Sequence, residues 1–177
     1  MDQNKKAFIV IDMLNDFVIQ GAPLEVPAAR KVVPFIRKKL EMARKEGMAV
    51  IYVCDSHKKD DPEFVKMNWP PHAIKGTRGA QVIDELKPLP GDKIVNKTTY
   101  SGFFETDLDK ILEDLKITTL FVCGCVTNIC ILYTVADAVM RGYEVEVFKE
   151  GVAGLNQEDH DFALRQMEEV LGAKITP

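Results

Sequence analysis

Cys130 stands where a chain of this kind could do covalent chemistry. An apolar run ends at Cys123, Gly124 turns the chain, and Thr127-Asn128 offers helix-capping oxygens before Cys130 enters the first helical turn. A thiol there sees the positive end of the helix dipole, which favours thiolate and nucleophilicity. Asp12 and Lys97 each close another apolar run. A carboxylate near the thiol can take its proton, and an ammonium favours both anions. Singly, Asp12 is an ordinary turn former and Lys97 an ordinary surface lysine. Three such residues at strand ends read as a nucleophile with its base and its counter-charge.

A second group has the composition of a metal site. Asp55-Ser56-His57 places a carboxylate and an imidazole two residues apart just past a strand, and His72 in Trp69-Pro70-Pro71-His72 can close the set. Oxygen and nitrogen donors of this kind suit zinc, iron or manganese and leave positions open for water or substrate. Glu63 is a candidate fourth ligand, with Asp60 and Asp61 as competing carboxylates. Phe17 and Trp69, on loops beside these residues, are aromatic surfaces against which a flat ligand would stack. Cys123, Cys125 and Cys130 match no zinc-ligand spacing, so Cys123 and Cys125, like Cys54, read as buried thiols. His160 reads as a surface residue or one that supports the site from behind.

The elements that must carry these residues alternate. Continuous apolar strands are predicted at 6–12, 49–55, 92–96, 118–123, 144–148 and 173–176, with helical periodicity at 28–46, 79–85, 104–115, 127–141 and 157–171. Strands apolar on both faces, separated by helices, imply a three-layer α/β/α fold. Its sheet is a mostly parallel, doubly wound (Rossmann-like) sheet of about six strands. No linker or repeat divides the chain, so residues 1–177 form a single domain. Ligands bind at the carboxyl ends of strands in such sheets, and Asp12, Asp55, Lys97 and the Gly124–Cys130 turn all fall there. Residues 57–78 are proline-rich and aperiodic, a long loop of the kind that carries function.

Composition excludes several roles. The chain of 177 residues is 46% hydrophobic and 28% charged with a net charge of -4, and no basic stripe exists to neutralise nucleic-acid phosphates or anionic lipid. No apolar run approaches the ~18 residues of a membrane span, and the polar start carries no signal peptide, so a cytoplasmic location is expected. Neither phosphate-cradling glycine motif occurs, which argues against a dinucleotide dehydrogenase. Fold alone also admits a ligand-binding module without catalysis.

The chain resembles the isochorismatase-like cysteine hydrolases over nearly its whole length, and within them the nicotinamidase (pyrazinamidase) branch. Ile11-Asp12-Met13-Leu14-Asn15-Asp16-Phe17, Asn96-Lys97-Thr98-Thr99-Tyr100-Ser101-Gly102-Phe103 and Gly124-Cys125-Val126-Thr127-Asn128-Ile129-Cys130 are similar to the three motifs of the catalytic aspartate, lysine and cysteine. The metal set and Trp69-Pro70-Pro71-His72 resemble that branch in particular, although Cys54 stands where many members carry arginine. The resemblance implies Asp12, Lys97 and Cys130 as the catalytic residues and Asp55, His57 and His72 as ligands of one divalent ion. It further implies that Phe17 and Trp69 sandwich a pyridine ring, with Tyr100 and Phe103 beside them. The backbone N–H groups of Val126 and Cys130 would form the oxyanion hole, with a cis Cys125–Val126 peptide. The implied reaction is hydrolysis of nicotinamide to nicotinate and ammonia, a step of NAD salvage, through a thioester. A metal-free relative acting on another small amide, carbamoyl or ureido compound is the alternative. A homodimer or homotetramer is the assembly expected.

Overall fold

The computed structural model describes residues 5–177; the polar start read above, residues 1–4, lies outside them. Six strands form one sheet in the order β3-β2-β1-β4-β5-β6, with every pairing parallel. They are β1 (Lys5–Ile11), β2 (Ala49–Asp55), β3 (Lys93–Lys97), β4 (Ile117–Cys125), β5 (Glu144–Ala153) and β6 (Lys174–Thr176). Successive residues of β1 and β2 are buried whichever way they point. That is why the strands read as unbroken apolar runs rather than as alternating ones. Two cores result, one on each face. Phe8, Val10 and Tyr52 pack under α2 (Ala29–Lys45), and Ile9, Ile11 and Val53 pack on the other face with Leu108, Leu112 and Val135.

Strand order reverses between β1 and β4, since the chain goes from β1 outward to β2 and β3 and then returns to β1's other side as β4. The crevice at the carboxyl ends of those two strands is where a doubly wound sheet binds ligands. The expected sheet and layers are therefore present.

Several expected helices are shorter or absent. Residues 79–85 hold a turn, an isolated antiparallel bridge between Leu14 and Val82, and a single 3-10 turn at Asp84–Leu86. Their backbone is committed elsewhere, because Gly79 O and Gln81 O accept the N–H groups of Asp16 and Asn15. The helix expected from 104 begins only at α4 (Leu108–Asp114), where the Thr106 hydroxyl accepts the Leu108 N–H and defines the start. The 127–141 segment is a π-helical turn at Thr127–Ile131 followed by α5 (Leu132–Met140), and 157–171 is α6 (Gln157–Arg165) followed by a second π-helical turn. A short helix α1 (Asn15–Val18) follows β1, and inside the long loop lie a short helix α3 (Pro62–Lys66) capped by Asp61 and a parallel bridge between His57 and Ile74. No helix among the described residues is long and apolar enough to cross a membrane.

Candidate active site

Asp12 is the residue at which β1 ends. Its backbone is left-handed (φ 52°) while its N–H still donates to Val53 O at 2.9 Å. The side chain thereby turns toward the β1/β4 crevice, where Asp12 Oδ1 accepts the Asp55 N–H at 2.7 Å. Lys97, at the end of β3, reaches the same point from two strands away. Its Nζ lies 2.8 Å from Asp12 Oδ2 and 3.4 Å from Cys130 Sγ, and it also bonds to the Asp55 carboxylate. The carboxylates of Asp12 and Asp55 and the Cys130 thiol all lie within 4.8 Å of one another. All four residues are buried, Lys97 and Asp12 almost completely.

This packing decides the protonation states. Burial, and then the neighbouring Asp55 charge, push the Asp12 carboxyl up to about 6, against the pull of Lys97. For Asp55 burial again opposes ionisation, but Lys97 and His57 outweigh it and hold the carboxyl below its usual range. Lys97 is charged, because two carboxylates overcome its burial. The Cys130 thiol is pushed up, first by burial and then by Asp12 and Asp55 against Lys97. Burial and the two carboxylates thus oppose the thiolate that a helix N-terminus would favour.

The turn that carries the thiol also differs from the expected cap. Thr127 and Asn128 cap nothing, since the turn is preceded by Val126 without a side-chain hydrogen bond. Instead the Thr127 hydroxyl pairs with His160 Nδ1 at 2.9 Å, and Gly154 brings α6 close enough that a Cβ there would stand 2.9 Å from His160 Cβ. His160 is thus a half-buried support of the nucleophile turn. The Cys125–Val126 peptide is cis.

Asp55, His57 and His72 converge beside the thiol, each buried and each with one donor atom within 4.8 Å of the others. His72 Nδ1–H donates to Pro70 O at 2.8 Å, and His57 Nδ1 faces Asp61 Oδ2 at 3.1 Å. Each ring therefore keeps Nε2 for the cluster, and His57 Nε2 stands 3.6 Å from Asp55 Oδ2. Engaging the far nitrogen in this way is how proteins orient imidazole ligands. Burial holds the His72 ring below its usual range, while for His57 the carboxylates of Asp55, Asp61 and Glu63 outweigh burial and hold it above. One carboxylate oxygen and two imidazole nitrogens fit a divalent ion of the zinc, iron or manganese type.

Glu63 falls in a different group, with His57 and Asp61. Its Oε2 is 3.8 Å from His57 Nδ1, the nitrogen turned away from the cluster. Glu63 also lines the pocket beside the cluster.

A cavity of about 50 Å³ opens onto these groups. On the same measure one water needs ~10–15 Å³, so the space suits a small molecule and not a peptide. Asp12, Cys130, Val126 and His72 line it together with Phe17, Trp69 and Tyr100. The Phe17 and His72 rings are 5.5 Å apart, and Trp69 stands 6.0 Å from both His72 and Tyr100. Phe103 does not join them. It is core, stacked on Tyr143 at 6.0 Å under the Arg141 guanidinium, because the chain reverses after Tyr100. Cys54 and Cys123 are buried thiols as expected, but Cys125 also lines the pocket and donates to Asp12 O at 3.2 Å. Thr99, Leu24, Val26, Ile129 and Leu155 also line it, and nothing in the residue types of the four apolar ones marks them in sequence. Asp61 had a signal, one helical turn beyond His57, but shared it with Asp60.

A buried cysteine beside a carboxylate and a lysine, at the switch point of a parallel sheet, has the composition of a cysteine-hydrolase site. The isochorismatase domain family matches residues 6–176, and the chain belongs to that family, among whose members are a nicotinamidase, ureidoacrylate amidohydrolases and an N-carbamoylsarcosine amidase. Three solved structures illustrate its range. The nicotinamidase/pyrazinamidase PncA of Bacillus subtilis is 33% identical with a TM-score of 0.91, covering 98% of this chain and 100% of its own. N-carbamoylsarcosine amidase of Thermoplasma acidophilum is 39% identical with a TM-score of 0.87, covering 97% and 95%. The pyrazinamidase of Pyrococcus horikoshii, in complex with zinc, is 30% identical with a TM-score of 0.91, covering 97% and 98%.

Proposed function

We propose that this protein is a nicotinamidase, hydrolysing nicotinamide to nicotinate and ammonia through a thioester on Cys130. The observation that carries this reading is the contiguity of three features at one small pocket: the thiol and its base, the Asp55–His57–His72 cluster, which faces the pocket through Asp55 and His72, and aromatic walls. In this mechanism Asp12 takes the Cys130 proton and the sulfur attacks the carboxamide carbon. The oxyanion lies against the backbone N–H groups of Val126 and Cys130. Asp12 returns the proton to nitrogen as the C–N bond breaks and ammonia leaves. It then takes a proton from water, which attacks the thioester and releases the carboxylic acid and the thiol. A carboxyl near 6 is suited to both directions of transfer. Lys97 keeps Asp12 and Asp55 together in one buried site.

Asp55, His57 and His72 would hold a divalent ion, whose chemistry when bound is that of a Lewis acid toward the ring nitrogen. Phe17 and Trp69 exclude water from the flat faces of the ring. The reading is tested by ammonia release from nicotinamide by zinc-loaded protein. Turnover in the wild type that disappears in Cys130→Ala supports it, and no turnover in the loaded wild type overturns it.

The similarity to N-carbamoylsarcosine amidase favours one second reading, a carbamoyl compound as substrate with the same three catalytic residues. Ammonia release from a carbamoyl amino acid that persists in His57→Ala would select it.

A further inference from the structure

Asn15 and Asp16 follow β1 in the motif that supplies Asp12, yet neither lines the pocket. The Asp16 carboxylate turns instead to the loop that carries the imidazoles. Its Oδ2 accepts the N–H of Ala73, the residue directly after His72, at 2.8 Å. Ala73 is fully buried and left-handed (φ 46°), a conformation that is strained for an alanine and must be held by its surroundings. Its carbonyl in turn accepts the His57 N–H at 3.0 Å, and His57 O accepts the Lys75 N–H at 2.9 Å. The backbones of both imidazole residues therefore meet at Ala73, and Asp16 is bonded to it by a charge-assisted hydrogen bond.

The room for that carboxylate is kept by a glycine. A Cβ at Gly79 would collide with the Asp16 carboxylate, while Asp16 N–H donates to Gly79 O at 3.1 Å. Asn15 does something different. Its Nδ2 donates to Arg78 O at 2.9 Å and Gln81 O at 3.0 Å, clamping the same segment further from the imidazoles.

We propose that Asp16 is the positioning residue for the imidazole pair. By holding the Ala73 amide it sets the backbone of His72, and through the Ala73 carbonyl that of His57, so that both rings meet Asp55 around one divalent cation. This rests on the metal part of the proposed function and not on the identity of the amide.

The test is zinc affinity of the metal-free protein, read by competition with a chelating indicator beside a thermal unfolding curve. Asp16→Ala and Gly79→Ala lower zinc affinity about 10–100-fold, the range for residues that orient metal ligands. Asp16→Asn retains an acceptor oxygen and keeps most of the affinity. Asn15→Ala lowers the melting temperature and leaves zinc affinity unchanged, which separates positioning from general support of the segment. Where Asp16→Ala fails to fold, Gly79→Ala disturbs the same contact from the other side and carries the test. Wild-type affinity in both Asp16→Ala and Gly79→Ala overturns the proposal, as does an equal loss of affinity in Asn15→Ala. Wild-type protein that takes up no zinc overturns it too. Zinc binding that depends on Asp16 in a protein without nicotinamide turnover upholds it, and only the substrate reading falls.

Discussion

Lys97 sits where three negative or potentially negative groups need one positive charge. It touches Asp12, Asp55 and Cys130 and is wholly buried. Replacing it by methionine keeps most of the volume and removes the charge, leaving two buried carboxylates without the cation they share. Breaking a buried ion pair in that way costs about 3–5 kcal/mol, to be measured by urea unfolding of Lys97→Met against wild type. The same substitution removes the charge that draws Asp12 and Asp55 together, so amide hydrolysis falls with stability. Cys130→Ala separates the two effects. It loses amide hydrolysis by at least about 10⁴-fold while its unfolding free energy stays close to wild type, because only a sulfur is lost. That Asp12, Lys97 and Cys130 meet was legible from residue type and from their places after the ends of apolar strands. What opposes the thiolate was not, because the dipole argument is local whereas the two carboxylates are brought in from the ends of β1 and β2.

The strand β4 and the turn after it are the element that aims the nucleophile. Gly124 has φ 127°, and a Cβ there would run into the carbonyl of Ile11 on β1. Strain and collision together predict a loss of about 3 kcal/mol or more in Gly124→Ala, seen as a lowered denaturation midpoint with amidase activity lost. On the other side, α6 supports the turn through His160 and Thr127. Burial holds the His160 ring below its usual range, with Asp161 and Lys149 as the nearby charges. A ring depressed on folding contributes stability that is present above its unfolded value near ~6.5 and is lost as pH falls through the folded value. Urea unfolding across pH 5 to 8 should therefore show wild type weakening toward acid more steeply than His160→Asn. His72 titrates the same way in both proteins, so the difference between the two curves isolates His160. The periodicity of residues 127–141 marked a helix, but its first turn is π-helical and Thr127 faces α6 instead of capping. A local rule cannot register a partner thirty-three residues away.

At the scale of the whole molecule, the ligand cluster joins β2 to the long loop across residues 55–72, so ion binding should stabilise the fold. A ligand that binds only the folded protein adds about 2.7 kcal/mol at a hundred times its Kd. Zinc should raise the melting temperature of wild type, a chelator should reverse the rise, and His72→Ala should show neither. The alternation of apolar strands with helical segments determined the parallel sheet, because strands buried on both faces leave no other layer arrangement. It also determined which residues close the strands, and with them the catalytic and ligand candidates. What only the tertiary structure decided is how those residues face one another. Sequence did not show that Lys97 bridges Asp12 and Asp55, or that Glu63 faces the outer nitrogen of His57. Phe103 belonging to the core and Asp16 holding the imidazole loop were equally hidden. Strand pattern is a property of neighbouring residues, and so is written locally. Protonation, side-chain direction and loop closure depend on charges and carbonyls brought from elsewhere in the chain, and exist only once the sheet has assembled.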